Sequence, residues 1–399
     1  MSRRHIHQFP GQTLSGCQHD EDKGRGQTRT NCRLRNARFF LTTLLLVPLA
    51  AMVIGLASIS AVEKTNTGPK QQLARPDTEA PDTKKPVKVF ILMGQSNMVG
   101  MGDLGPETTT GTLAYLTKKK GKYPWLIDDG GNWTVRKDVY YYDARVKKGS
   151  PLSATSNNGR SIGPELGFGY VMGYVLDEPV LVLKSCIGNC SLGWDLLPPG
   201  SERFTYEGRT YAGYKDTPDS WIEGQPKKEV NWYAGKQYDT DVANAKEVLQ
   251  NLAQYYPDYK GQGYEVAGFV FWQGHKDQNP AHASRYEQNL VRFIKSLRKD
   301  FDAPNAKFVL ATIAFGGWKL AGPGLTVASA QLAVSGEKGK YPEFKGNVKT
   351  VEARDFWRDA AVSPNKKQGY HYNRNAETYM EVGHSLGWAM AELLNKQGK

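Results

Sequence analysis

The chain has 399 residues with a formal net charge of +12, and 39% of its residues are hydrophobic. This length allows one large α/β domain or two average domains with a sizeable core. The excess of positive charge is partly local, because residues 1–38 hold eight Lys or Arg against three Asp or Glu. The remaining basic residues are spread thinly and form no basic helix interleaved with aromatic residues, which argues against nucleic-acid binding.

The first 86 residues are predicted to precede the folded domain. Residues 1–38 are polar and without periodicity, which is typical of a disordered basic stretch. Residues 39–62 are 24 residues without a charge, and arginines precede them, so they predict a signal peptide or a membrane anchor. Residues 63–86 are rich in Pro, Thr and Lys and predict a flexible linker. We therefore expect an exported protein, periplasmic or extracellular, that touches a membrane only through residues 39–62 if they stay uncleaved.

From Val87 onward, short apolar runs alternate with amphipathic stretches. Apolar runs separated by helices predict a parallel sheet that is covered on both faces. The predicted strands are 87–93, 139–142, 180–184, 266–272 and 307–313, and the predicted helices are 162–175, 239–255, 283–297 and 375–394. Residues 201–232 show no clear period and predict a long surface excursion, of a length that often borders an active site.

Polar residues follow the predicted strands where a ligand would bind a parallel sheet, beyond the carboxyl ends of the strands. Gly-Gln-Ser-Asn-Met (94–98) follows the first strand, and Trp-Gln-Gly-His-Lys-Asp (272–277) follows the strand at 266–272. A third polar group, Gln-Gly-Tyr-His-Tyr-Asn (368–373), precedes the last helix. Ser96 at the start of a helix could act as a nucleophile, since backbone N–H groups converge there, or could simply cap the helix.

The cysteines give no sign of metal or redox chemistry. Cys186 and Cys190 are four residues apart without a second pair or a nearby histidine, so their spacing is poor evidence for a metal site. A local disulfide and two buried thiols both fit the pattern. We expect no metal and no cofactor.

The strand followed by Gly-Gln-Ser-Asn-Met resembles the first conserved block of the SGNH hydrolases, in the branch of sialate O-acetylesterases and family six of the carbohydrate esterases. The similarity runs from about Val87 to Leu394 and includes Lys-Ser-Cys-Ile-Gly (184–188), Trp-Gln-Gly (272–274) and a late histidine before a helix. The resemblance implies a three-layer α/β/α sandwich with a mainly parallel, flavodoxin-like sheet in a domain of residues 87–396. It also implies deacetylation of sugars without a metal.

Position by position, the resemblance assigns Ser96 as the nucleophile and its N–H as one donor of the oxyanion hole. Gly188 supplies the second donor and the Gln273 side chain a third, and His371 is the general base. Among the histidines of the domain, His371 alone combines a loop setting with a following helix. His282, after a loop at the start of a helix, is expected to be exposed.

The acid partner of His371 departs from the family pattern. Relatives often place a carboxylate at the position of His275 or at that of Gln368, and this chain has neither. Asp277 is our candidate for the acid, and a neutral group is the alternative. The candidates for substrate binding are Gln95, Asn97, His275 and Trp194. Glu165 and Asp195 are candidates for either a structural role or substrate binding.

These observations predict a serine esterase that removes O-acetyl groups from a polysaccharide or a sialic acid through an acyl-Ser96 intermediate. The alternative is a catalytically weak or inactive carbohydrate-binding relative with the same fold. A hydrolase of other esters or thioesters is a third interpretation. The expected partner is an acetylated carbohydrate substrate.

Overall fold

The computed structural model describes residues 73–76 and 80–395. The predictions for residues 1–38 and 39–62 lie outside this part of the chain. None of the helices in the described residues combines the length and apolar character that a membrane span requires.

Twelve strands and seven α-helices form the described part of the chain. The strands are β1 (Val87–Gly94), β2 (Gly102–Asp103), β3 (Val135–Asp143), β4 (Lys148–Ser153), β5 (Ser161–Ile162), β6 (Val180–Lys184), β7 (Phe204–Tyr206), β8 (Arg209–Tyr211), β9 (Ser220–Trp221), β10 (Tyr264–Trp272), β11 (Lys307–Ala311) and β12 (Val348–Val351). The helices are α1 (Ser96–Val99), α2 (Pro164–Val175), α3 (Lys236–Gln250), α4 (Leu252–Tyr255), α5 (Pro280–Asp300), α6 (Gly322–Ala333) and α7 (Ala376–Leu393).

Seven of the strands form the central sheet in the order β12-β11-β10-β1-β6-β3-β4. All neighbours pair in parallel except β4, which pairs antiparallel with β3. β6 lies on one side of β1 and β10 on the other, so the chain changes direction across the sheet at β1. Such a switch point opens a crevice at the carboxyl ends of the strands, and this is where ligands of open α/β sheets bind.

The sheet is covered on both faces. Alternate side chains of β1 point to opposite faces: Val89 and Ile91 join the core with α3, α5 and α6, and Phe90 and Leu92 join the core with α2 and α7. All four side chains are fully buried, and each such burial stabilises the fold by about 1.5–3 kcal/mol. The predicted α/β/α sandwich with a mainly parallel sheet is confirmed.

Two of the predicted helices begin at asparagine caps. The side chain of Asn279 accepts the N–H of His282 at the start of α5, and Asn375 accepts the N–H of Glu377 at the start of α7. The helix predicted over 239–255 is instead broken at Asn251. The Asn251 amide donates to Glu247 O at 2.9 Å, and such local bonds compete with continuation of a helix.

The excursion at 201–232 has structure of its own. It contains the three-stranded sheet β7-β8-β9. Trp221 of β9 packs with Trp194, Leu197 and Ala234 in a small separate core. The excursion is therefore attached to the domain by buried aromatic residues.

Part of the predicted linker 63–86 contacts the domain. Leu73 is 4% exposed and joins the core beneath α2 and α7. The N–H of Asp82 donates to Asp177 O at 3.0 Å. The sequence pattern predicts that the domain starts at Val87, but residues before Val87 already pack against it.

The two cysteines of the domain are free thiols. Cys186 and Cys190 are both buried and form no disulfide. Burial raises the pKa of both thiols, so neither is an activated nucleophile.

Candidate active site

Ser96 lies at the carboxyl end of the central strand β1, as the first residue of the short helix α1. Gly94 makes this sharp turn possible, because its φ is +152° and a Cβ there would lie 2.3 Å from Trp272 O. Ser96 is 8% exposed. Its N–H belongs to the first turn of a helix, where backbone donors have no acceptor within the helix.

The loop after β6 brings Gly188 beside Ser96. The N–H of Ser185 donates to Leu92 O at 2.9 Å, so this loop leaves the sheet next to β1. A Cβ added to Gly188 would lie 3.5 Å from Ser96 Cβ. The predicted second oxyanion donor and the predicted nucleophile are therefore neighbours in space, although 92 positions separate them in the sequence numbering.

His371 lies in an irregular turn, Gly369–Arg374, directly before α7. Tyr372, Asn373 and Arg374 follow with φ values of 50°, 53° and 58°. Left-handed backbone costs a non-glycine residue about 1–2 kcal/mol, so three in succession require support from their surroundings. The Tyr372 hydroxyl accepts the N–H of Ala314 at 3.1 Å, and the Asn373 amide donates to Arg358 O at 3.0 Å.

Asn97 connects the turn of Ser96 to the turn of His371. Its Nδ2 donates to Tyr370 O at 3.2 Å, and its Oδ1 accepts the Tyr379 hydroxyl at 2.6 Å. The same hydroxyl lies 3.2 Å from His371 O. Residues that are 275 positions apart thus lie on turns in direct contact at one edge of the sheet.

The imidazole of His371 is held in its neutral form. Burial, together with the nearby charges of Arg374 and His275, lowers its pKa to about 4. A neutral imidazole can accept a proton from a serine hydroxyl. Its Nδ1 is buried without a hydrogen-bond partner among the described residues.

Asp277, predicted as the acid partner of His371, has a different neighbour. Its side chain is fully buried and accepts the N–H groups of Leu192 and Gly193, each at 2.8 Å. The imidazole beside it is that of His282, with Nδ1 3.7 Å from Asp277 Oδ1. Asp277 therefore holds the loop after β6 and does not orient His371. His282 itself is 6% exposed, so the expectation that it is exposed was wrong.

The side chain of Gln273, predicted as a third oxyanion donor, is already engaged. Its Nε2 donates to Asp277 Oδ2 at 2.6 Å and to Cys190 O at 2.8 Å, and lies 3.2 Å from Gln95 Oε1. An amide nitrogen carries two hydrogens, and these acceptors use both. Gln273 supports the site from beneath, and the N–H groups of Gly188 and Ser96 remain the predicted oxyanion donors.

Several predicted substrate contacts are also part of the framework. Gln95 is 2% exposed and its Oε1 accepts the N–H of Gly274 at 3.3 Å. The two polar atoms of Asn97 are used as described above. Trp194 is 9% exposed in the small core of the excursion. The ring of His275 lies 5.8 Å from that of Tyr370, which precedes His371, and 5.1 Å from that of Phe315.

Asp195 and Glu165 both serve the structure. Asp195 accepts the N–H of Ser191 at 2.8 Å and pairs with Lys276 at 3.0 Å. Glu165 pairs with the buried ammonium of Lys184. Within the described residues, no group of three or more His, Cys, Asp or Glu side chains could hold a metal ion.

The sequence patterns did not identify Tyr379 or Lys184 as parts of the site. Tyr379 lies within α7, whose sequence gives no sign of a polar contact, and Tyr379 and the residue it contacts, Asn97, are 282 positions apart in sequence. Lys184 is the last residue of the apolar strand β6. A charged residue at the end of a buried strand was the one sign in the sequence that it belongs to the site.

The sheet order defines a three-layer α/β/α fold, and three turns meet at its switch point. A family model described as carbohydrate esterase, sialic acid-specific acetylesterase, matches residues 219–392. This match confirms the predicted resemblance to the sialate O-acetylesterase branch over residues 219–392.

Solved structures similar to the chain include three proteins of low sequence identity. A protein from Arabidopsis thaliana is 18% identical with a TM-score of 0.45, and the match covers 76% of this chain and 98% of that one. A carbohydrate acetylesterase from Xanthomonas citri is 13% identical with a TM-score of 0.43, covering 77% and 56%. NanS is 11% identical with a TM-score of 0.43, covering 79% and 98%. Comparison with curated proteins gives no significant match.

Proposed function

We propose that the chain is a serine esterase that removes O-acetyl groups from carbohydrate through an acyl-Ser96 intermediate. The observation that carries this proposal is the convergence of three turns at the switch point of the sheet. These turns carry Ser96, Gly188 and His371, whose imidazole is neutral, and they are joined by the approach of Gly188 to Ser96 and by the bond of Asn97 to Tyr370 O.

In the first half of the reaction, His371 Nε2 takes the proton of the Ser96 hydroxyl while Oγ forms a bond to the acetyl carbon. The N–H groups of Ser96 and Gly188 bind the oxyanion that forms, and one such donor is worth about 2.7–4 kcal/mol in the transition state. The ester C–O bond then breaks, and the imidazolium returns the proton to the departing sugar oxygen. In the second half, water attacks the acetyl-serine by the same route, which releases acetate and restores Ser96.

Two exposed aromatic residues support a carbohydrate substrate. Tyr370, 44% exposed, precedes His371, and its ring lies 4.5 Å from the imidazole. Trp318 is 53% exposed, and the guanidinium of Arg354 lies 4.1 Å from its ring. Flat exposed rings pack well against the apolar face of a pyranose. An acetylated polysaccharide and an acetylated sialic acid are the two substrate classes we propose.

The test is hydrolysis of p-nitrophenyl acetate and of acetylated xylan and sialic acid by the purified full-length protein. Ser96→Ala should lower the rate by about a thousandfold or more, and Ser284→Ala on the exposed face of α5 is the matched control. A series of longer acyl esters should show loss of activity beyond about four carbons, since an acetyl pocket rejects longer chains by overpacking.

The second candidate is a carbohydrate-binding relative with little or no turnover. It is favoured by one observation, the absence of a carboxylate at His371 Nδ1 among the described residues. Binding of acetylated sugar with rates unchanged by Ser96→Ala would support it. Export of the chain, through residues 39–62, remains part of our proposal and is testable by fractionation of cells that express it.

A further inference from the structure

Two buried polar atoms at the turn that carries His371 have no hydrogen-bond partner among the described residues. They are Nδ1 of His371 and Oε1 of Gln368. Buried polar groups in folded proteins are almost always paired, and leaving one unpaired costs about 1–3 kcal/mol. These two atoms are only three residues apart, so one missing hydrogen bond between them would account for both.

The two atoms are chemically complementary. Oε1 of glutamine is an acceptor, and Nδ1 of a neutral imidazole is a donor when the other ring nitrogen is the acceptor. The backbone already folds the two residues onto each other. The carbonyl of Gln368 accepts the N–H of His371 at 2.8 Å and that of Asn373 at 3.0 Å. The terminal torsion of glutamine is soft, so a reorientation of the Gln368 side-chain amide costs little.

We propose that Gln368 is a positioning residue that accepts the Nδ1–H of His371 through its side-chain carbonyl. This inference rests on the proposed function of His371 as the base. The contact selects the tautomer in which Nε2 has a free lone pair, which is the form that can take the proton of Ser96. Gln368 thus does with a neutral amide what a carboxylate does in a Ser-His-Asp triad.

A neutral acceptor fixes the orientation of the ring but adds no negative charge to stabilise the imidazolium. The charged and titratable groups around His371 are Arg374, which pairs with Asp103, and His275, Tyr370 and Tyr379. The two basic side chains, Arg374 and His275, oppose protonation of His371, and burial acts in the same direction. The base therefore stays neutral in acid, where a carboxylate-paired histidine would already be protonated.

The experiment uses the full-length protein with ¹⁵N-labelled histidine, three test variants and one further variant for assignment. Gln368→Leu removes the acceptor, Gln368→Glu replaces it by a carboxylate of the same shape, and Asn365→Asp adds one carboxylate elsewhere in the same loop as a matched control. The ring ¹⁵N shifts of His371, assigned with His371→Asn, report its tautomer and its titration. Hydrolysis of p-nitrophenyl acetate against pH is the second readout.

We expect Gln368→Leu to lose the Nδ1–H tautomer and to lower kcat about tenfold or more with little change in KM. Gln368→Glu should raise the pKa of His371 and move the acid limb of kcat/KM to higher pH, while Asn365→Asp has a much smaller effect. An unchanged tautomer and kcat in Gln368→Leu, or no rise of the His371 pKa in Gln368→Glu, would overturn the proposal. The ring shifts report the contact whether or not the protein hydrolyses esters, so failure of the proposed function is seen separately in Ser96→Ala.

Discussion

The ammonium of Lys184 lies 2.7 Å from a carboxylate oxygen of Glu165, and the two side chains are 1% and 2% exposed. Lys184 Nζ also donates to Val99 O, at the end of α1, at 3.0 Å. A buried ion pair thereby connects β6 and α2 to the turn that begins with Ser96. The pair lies beneath the site and touches none of the groups proposed to react.

Lys184→Met should lower the free energy of unfolding by about 3–5 kcal/mol, because it leaves the Glu165 carboxylate buried and unpaired. Urea denaturation followed by tryptophan fluorescence measures this loss. The double variant with Glu165→Leu should recover much of it, since an apolar pair of similar volume can replace a buried ion pair.

The matched control is the exposed pair of Lys147 and Glu247, whose side chains are 57% and 39% exposed. Lys147→Met should cost less than about 1 kcal/mol. Equal losses for Lys184→Met and Lys147→Met would mean that the buried pair does not hold the turn.

Tyr379→Phe should lower kcat while the protein stays folded. The hydroxyl of Tyr379 is the link between Asn97 and the backbone of His371, and its loss leaves Asn97 Oδ1 unpaired at a cost of about 1–3 kcal/mol. A misplacement of the base by a fraction of an ångström should reduce kcat by about tenfold or more. Tyr264→Phe, at a 42% exposed tyrosine of β10, is the control, and an unchanged kcat in Tyr379→Phe would refute the linking role.

The pH profile of kcat/KM should be flat from neutral pH down to about 5 and fall below it, with a midpoint near the His371 pKa of about 4. Catalysis needs the neutral imidazole, and kcat/KM reports the free enzyme. The same shift affects stability. The unfolded chain binds a proton at His371 near the ordinary histidine pKa, whereas the folded chain binds it only near pH 4. The contribution of His371 to the free energy of unfolding is therefore fully present above the ordinary histidine pKa and is lost as the pH falls towards 4. A midpoint of 6 to 7 would show that His371 is not the titrating base or is paired with a carboxylate.

Gly188→Ala should fold with nearly unchanged stability but hydrolyse esters more slowly. Its added Cβ would lie 3.5 Å from Ser96 Cβ, an ordinary contact, and 3.9 Å from Ser96 Cα. The methyl group would occupy space beside the nucleophile. Thermal unfolding measures the effect of Gly188→Ala on stability, and kcat/KM on p-nitrophenyl acetate measures its effect on hydrolysis. If kcat/KM of Gly188→Ala equalled that of the wild type, the substrate would have to bind on another side of Ser96.

The strands were predictable because apolar runs such as Val180–Lys184 are buried on both faces and end at polar residues. α6 and β12 were not predicted, since Gly322–Ala333 has no polar face that would mark it as a helix and Val348–Val351 is only four residues long. The local sequence pattern predicts an element where buried residues follow one another along the chain. It does not predict segments that are short, or helices that are apolar on all sides.

The partners of side chains were the least predictable part of the site. Asp277 is close to Gln273 in sequence, and nothing local indicated that it would accept two N–H groups from the loop after β6. The contact of Asn97 with Tyr379 likewise depends on the packing of α7 against the end of β1. Such contacts are set by the tertiary fold, so the sequence predicted the turns that meet but not the bonds that join them.

Labelling of the full-length protein with a fluorophosphonate, followed by peptide mapping, tests whether Ser96 is an activated nucleophile. The probe reacts with a serine hydroxyl only when a neighbouring base activates it. We predict a single label on Ser96 that is lost in His371→Ala. Absence of label on Ser96, under conditions that modify a control serine esterase, would show that His371 does not activate Ser96.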